Sequence, residues 1–89
     1  MVLGTMTLED LDLIYVLVPR GDDPDDRENL TVRQMSDRQF REWVVGMGQH
    51  YHVPMLPTLG RLGDETRLNM VNYLIRKGVK IHRLPKTGE

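Results

Sequence analysis

The amino-acid sequence predicts an α+β fold, in which two helices pack on a small sheet of two or three strands. Two kinds of pattern predict this class. Short alternating or apolar runs lie near both ends of the chain, and two central segments carry apolar residues with helical spacing. A chain of 89 residues has the size of one small domain, 1–89, with a thin core. A mostly helical bundle is the alternative if the first element is a helix.

The first element is open to two interpretations. Its apolar residues fit the stripe of a helix, which Thr7 and Asp10 would begin as a capping box. In contrast, Ile14–Val18 is a β-branched and aromatic run that Pro19 ends, which is typical of a strand. We favour a strand over about Asp12–Val18 that follows one helical turn.

Residues 20–29 form a loop by composition, and we call this segment the acidic loop. It contains one glycine, one proline and four closely spaced aspartates. The next five residues, Leu30–Gln34, alternate between apolar and polar, so they predict a short strand that pairs back on the first as a hairpin. The four aspartates are Asp22, Asp23, Asp25 and Asp26.

The clearest helix signal begins at Ser36. This residue is a good N-cap, and Gln39 three positions later completes a capping box. Gly46 and Gly48 weaken the last turns by about 1 kcal/mol each relative to alanine, and we expect the helix to end before Pro54. The apolar face consists of Phe40, Trp43, Val44, Met47 and Tyr51.

A second helix follows a connector rich in proline and glycine, in which a helical turn is predicted after Thr58. We expect Asp64 to cap a helix over Glu65–Lys77, with Gly78 just beyond its end. Apolar residues cover more than half of its circumference, whereas a surface helix needs a stripe of only about 100°. This helix is therefore predicted to be central to the fold, to bind a partner, or both. Its apolar residues are Leu68, Met70, Val71, Tyr73, Leu74 and Ile75.

The last predicted element is a short strand, Val79–Leu84. Val79, Ile81 and Arg83 would point to one side of it, and the residues between them to the other. We expect the tail, residues 85–89, to be loose.

Charge is unevenly distributed along the chain. The net charge is −1, but residues 1–30 carry eight acidic and two basic residues, whereas 31–89 carry ten basic and five acidic ones. The sequence has no cysteine, which favours an intracellular, cytoplasmic protein over a small secreted one. No signal peptide is recognisable, and the longest apolar run is far too short for a membrane span, so no membrane association is expected.

Known catalytic patterns are missing from the sequence. It contains neither a glycine-rich phosphate loop nor a cysteine nucleophile, and its single serine is better explained as a helix cap. Three histidines, His50, His52 and His82, make a weak metal set because two of them fall at a fraying helix end. We therefore expect no enzyme activity, no cofactor and no metal.

These observations favour a small, non-enzymatic regulator or inhibitor that binds a larger protein. A source in a phage or mobile element would suit such a chain by association only. Homodimerisation through the second helix is an alternative, since wide apolar faces often self-associate. The residues predicted to contact a protein partner are Asp22, Asp23, Asp25, Asp26, Met70, Tyr73 and Leu74.

A nucleic-acid-binding module is the competing hypothesis. Basic residues cluster at the end of the second helix and in the last strand, where they could contact phosphates. Few aromatic residues lie among them, and a solvated edge strand protected by positive charge explains them as well. The candidate polyanion-binding residues are Arg76, Lys77, Lys80, Arg83 and Lys86.

Overall fold

The structure, a computed structural model, describes residues 5–55 and 60–85. It confirms the α+β class, with two helices packed on a two-stranded antiparallel sheet. The predicted turn after Thr58, the residue Lys86 and most of the predicted loose tail lie outside the described residues.

The first element combines the two interpretations that the sequence left open. A 3₁₀ turn, Leu8–Asp12, comes first, and strand β1, Tyr15–Pro19, follows it. The backbone N–H of Thr7 donates to Oδ2 of Asp10 at 2.7 Å, so these two residues begin the turn as predicted. The strand is confirmed, but it starts later than the predicted Asp12 because the 3₁₀ turn extends to that residue.

Strand β2, Arg27–Thr31, pairs with β1 in an antiparallel register that places Val16 opposite Leu30. The prediction of a second strand over Leu30–Gln34 was wrong in its position. The backbone N–H of Arg20 donates to the carbonyl of Asp26 at 2.7 Å, which closes the hairpin after a short turn. The predicted acidic loop, 20–29, was therefore too long, since residues 27–29 belong to β2. Residues 32–34 form a turn instead.

Helix α1, Asp37–His50, begins at the predicted N-cap. The hydroxyl of Ser36 accepts the backbone N–H of Gln39 at 3.1 Å, and the side-chain oxygen of Gln39 accepts the N–H of Ser36 at 2.9 Å. Helix α2, Asp64–Arg76, starts one residue earlier than predicted, because Gly63 and not Asp64 is its N-cap. It ends at Arg76, one residue before the predicted Lys77. Gly78 follows the C-cap residue, and its φ of +94° is a left-handed value that favours glycine.

The predicted third strand does not form. Residues 79–85 have no strand pairing, and one backbone hydrogen bond joins them to the start of the hairpin, from the N–H of Leu84 to the carbonyl of Leu13 at 2.9 Å. Its two predicted sides are nevertheless correct. Val79 is buried and Ile81 half-buried, whereas Lys80 and His82 are exposed.

One hydrophobic cluster lies between the hairpin and the two helices. α1 contributes Phe40 and Val44, and α2 contributes Val71 and Leu74, each with no exposed surface. The chain before the 3₁₀ turn is also held to α2. The side-chain amide of Asn72 accepts the backbone N–H of Met6 at 2.7 Å and donates to its carbonyl at 3.0 Å.

Candidate functional site

An open groove runs along one side of α2, and we call it the α2 groove. Its volume is about 480 Å³. Met70 and Tyr73, two of the residues predicted to contact a partner, line it together with Met55 from the connector between the helices. The residues that line it are Pro54, Met55, Thr66, Asn69, Met70, Tyr73 and Arg76.

The position of Met55 depends on a close approach between the connector and α1. A Cβ atom added at Gly48 would lie 2.5 Å from the carbonyl oxygen of Val53 and 2.8 Å from Cγ of Met55. The missing side chain therefore lets the connector pack directly on α1, which places Met55 opposite Met70 and Tyr73. Sequence reasoning missed Met55; the signal for it was an apolar residue placed between two prolines.

Leu74 does not belong to this surface. It was predicted as a partner contact together with Met70 and Tyr73, but its side chain is fully buried in the core. The apolar residues of α2 face two directions. Val71 and Leu74 face the core, and Met70 and Tyr73 reach the groove while still packing partly on the core.

The basic residues predicted as one polyanion site are spread over three places. Arg76 lines the α2 groove, and Nζ of Lys77 lies 5.6 Å from the centre of the Tyr73 ring, close enough for a cation–π contact. Lys80 lines a separate cavity of about 290 Å³ beside β1. Nε of Arg83 lies 3.3 Å from Oδ1 of Asp10, whose side chain is buried.

The four predicted aspartates lie in the turn of the hairpin, far from the groove. Asp22 lines a polar cleft of about 250 Å³ together with Ser36 and Arg38 from the first turn of α1. The groove, in contrast, includes Met55, which packs on Gly48 near the other end of α1. A helix of 14 residues is about 21 Å long, so the predicted protein-binding residues form two surfaces and not one.

Arg67 is the most constrained polar residue of the described chain, and the sequence prediction overlooked it. Its guanidinium donates to the carbonyls of Leu62 at 2.8 Å, Val32 at 2.6 Å and Met35 at 2.7 Å. The signal was present: Arg67 lies four residues before Val71 on the buried face of α2. These contacts explain why this charge is buried, and they give Arg67 a structural role.

The third guanidinium nitrogen of Arg67, Nη2, is paired with a carboxylate. Nη2 lies 2.9 Å from Oδ1 of Asp37, the first residue of α1. This hydrogen bond from Arg67, with a backbone hydrogen bond from Leu62 and the positive charges of Arg67 and Arg41, lowers the pKa of Asp37, although partial burial acts in the opposite direction.

Within the described ranges, no group of three or more histidine or acidic residues is arranged to hold a metal ion. The ring of His50 packs edge-on against Tyr51 with 5.0 Å between the ring centres. Among the residues that the structure describes, no helix is long and apolar enough to cross a membrane.

Comparison of the chain with models of protein families, with curated proteins and with solved structures finds no match.

Proposed function

We propose that this protein is a small, non-enzymatic regulator or inhibitor that binds a larger protein through the α2 groove. The observation that supports the proposal is the groove itself. It joins Met70 and Tyr73, from the unusually wide apolar face of α2, with Met55 in an open depression of about 480 Å³. Flexible methionines and an aromatic ring are side chains that protein-binding surfaces favour. A cytoplasmic location and a source in a phage or mobile element stay predictions.

The proposal is tested by selecting binders from a displayed library of natural protein fragments on the immobilised chain. We expect the enriched fragments to lose at least tenfold in affinity for a Met70→Glu variant, because a charge in the groove would have to be desolvated. Leu17→Glu, which introduces the same charge at an exposed apolar position of β1, is the matched control and should bind as the original chain does. Fragments that bind all three proteins equally would contradict the proposal.

Homodimerisation is the alternative in which the partner is a second copy of the chain. Light scattering at several protein concentrations separates the two cases. A dimer that Met70→Glu converts to a monomer would place the second copy in the groove.

Nucleic-acid binding is a second candidate, which the exposure of Arg76, Lys77 and Lys80 favours. Binding to duplex DNA that weakens steeply as salt rises would support it, because contacts to phosphates release counterions. No retention on heparin at low salt would exclude it.

A further inference from the structure

The α2 groove has a charge pattern that its apolar lining does not explain. Arg76 lies at one end of it, and the ammonium group of Lys77 lies over the ring of Tyr73. Among the residues that line the groove, none is acidic. Within residues 5–55 and 60–85, the side chain of Arg76 is exposed and forms no hydrogen bond or ion pair. Two full positive charges outweigh the roughly half negative charge of the helix end, so this rim of the groove is positive.

The floor of the groove suits an apolar side chain. Pro54, Met55, Met70 and Tyr73 supply apolar surface, and methionine side chains adjust to the shape of a ligand. A volume of about 480 Å³ holds more than one large side chain. An anion alone would leave this floor in contact with water.

Among the described residues, neither Arg83 nor Lys80 extends the positive rim into a track for phosphates. Arg83 is paired with the buried Asp10, and Lys80 lies in another cavity beside β1. A nucleic-acid backbone binds a continuous line of cations, because its phosphates recur at regular intervals. A compact site with two cations beside an apolar floor suits a peptide better.

The acidic turn of a second copy of this chain also fits the groove poorly. Its four aspartates could meet Arg76, but the turn that carries them, Gly21–Asp26, has no large apolar side chain to fill the groove. The occupant therefore needs carboxylates and apolar side chains in the same short segment.

We propose that the α2 groove binds an acidic amphipathic segment of the partner protein. An apolar side chain of that segment lies against Met55, Met70 and Tyr73, and a carboxylate close to it pairs with Arg76. This inference rests on the proposed function, since it names the chemistry of the partner at the same groove.

Three synthetic helical peptides of equal length test this chemistry. The first has leucine and phenylalanine on one face and glutamate beside them; the second has lysine in place of each glutamate; the third keeps glutamate but has alanine in place of the apolar residues. We expect the first peptide to bind in fluorescence anisotropy with an affinity about tenfold or more above the other two, a difference of about 1.4 kcal/mol.

Two variants locate the binding. Arg76→Gln should weaken binding of the first peptide about fivefold or more, while Lys80→Gln, the matched control of the same charge change, should leave it unaltered. Amide chemical shifts should change at Met55, Met70 and Tyr73. Equal binding of the lysine peptide, equal binding of the alanine peptide, no binding of the first peptide, or equal effects of the two variants would each overturn the inference.

Its failure can be told apart from failure of the proposed function. If the fragment selection recovers segments that depend on Met70 but carry no acidic residues, the groove binds protein and only the charge inference is wrong. If the fragments do not depend on Met70, the function proposed for the groove fails with it.

Discussion

Arg67 joins three parts of the chain through one side chain. It lies on α2, yet it donates to the carbonyls of Val32 and Met35 between the hairpin and α1, and to that of Leu62 before α2. Its guanidinium also lies 5.2 Å from the centre of the Phe40 ring. A buried carbonyl needs a hydrogen-bond donor, and Arg67 supplies the donors for all three of these carbonyls. The junction of hairpin and helices therefore depends on Arg67.

Replacing Arg67 by methionine should destabilise the protein by about 3 kcal/mol or more, because buried carbonyls and Asp37 lose their donor together. Urea unfolding measures this loss. The matched control is Arg61→Met at an exposed position, which should change stability by less than about 0.5 kcal/mol. Similar unfolding curves for the two variants would show that the hydrogen bonds of Arg67 do not stabilise the fold.

Asp37 is predicted to make stability depend on pH. The pKa of this carboxyl is lower in the folded protein than its ordinary value of 3.8, chiefly because Arg67 donates to it. Its contribution to stability is therefore fully present above about pH 4 and is lost as pH falls through the lower folded pKa. Asp37→Asn should be less stable than the original chain at pH 7, and the difference should shrink below pH 4.

Thermal unfolding between pH 7 and pH 2.5 measures this change. Asp25→Asn, in the exposed turn of the hairpin, is the matched control and should follow the original chain at every pH. A difference between Asp37→Asn and the original chain that stays constant over the whole range would contradict the assignment.

At the scale of single elements, α1 shows how one residue type has two roles. The sequence predicts that Gly46 and Gly48 both weaken the helix, because glycine has a low helix propensity. The structure gives the two glycines different surroundings. A Cβ atom at Gly46 would meet no heavy atom within 4 Å, whereas one at Gly48 would collide with the backbone of the connector.

Gly46→Ala should therefore stabilise the protein by about 0.5–1 kcal/mol through helix propensity. Gly48→Ala should destabilise it by about 1–2 kcal/mol, because overpacking costs more than the gain in propensity. Chemical denaturation of both variants measures the two effects. Gly48→Ala should also lower the affinity of the α2 groove for any ligand, since Met55 must shift. Equal stabilisation by the two substitutions would show that the connector yields without cost.

The last segment shows the limit of element prediction. Alternation correctly predicted which residues of 79–84 face the core, since Val79 is buried and Ile81 is half-buried. It could not predict whether the backbone would pair with β1. Pairing depends on the path of the chain after Gly78, and here one backbone hydrogen bond, from Leu84 to Leu13, joins the segment to the residues just before β1.

At the scale of the whole molecule, the charge asymmetry of the sequence becomes a separation in space. The turn with the four aspartates reaches the first turn of α1 at Asp22. Arg76 and Lys77 lie at the α2 groove, where Met55 packs on Gly48 near the other end of α1. Other charges of the two halves pair internally: Arg33 with Asp12 at 2.9 Å, and Arg83 with Asp10. The four aspartates and the two cations at the α2 groove remain exposed.

Much of the fold could be predicted because it depends on neighbours in the chain. The capping box of Ser36 and Gln39 and the left-handed Gly78 after α2 involve residues a few positions apart. The apolar run that predicts β1 is likewise one continuous stretch of the chain. The candidate site was predictable only in part. Met70, Tyr73 and Arg76 were named from α2, but Leu74 was included with them although it is buried.

The features of the fold and of the candidate site that could not be predicted depend on contacts between residues far apart in the sequence. The hydrogen bond from Arg67 to Val32 spans 35 positions, and the approach of Met55 to Gly48 depends on how the connector returns to α1. Periodicity places a residue on a face of its own element, but it does not say what packs against that face. The helices, the first strand and the uneven charge thus follow from local sequence. The groove, the burial of Arg67 and the unpaired last segment follow from packing, because only packing brings those residues together.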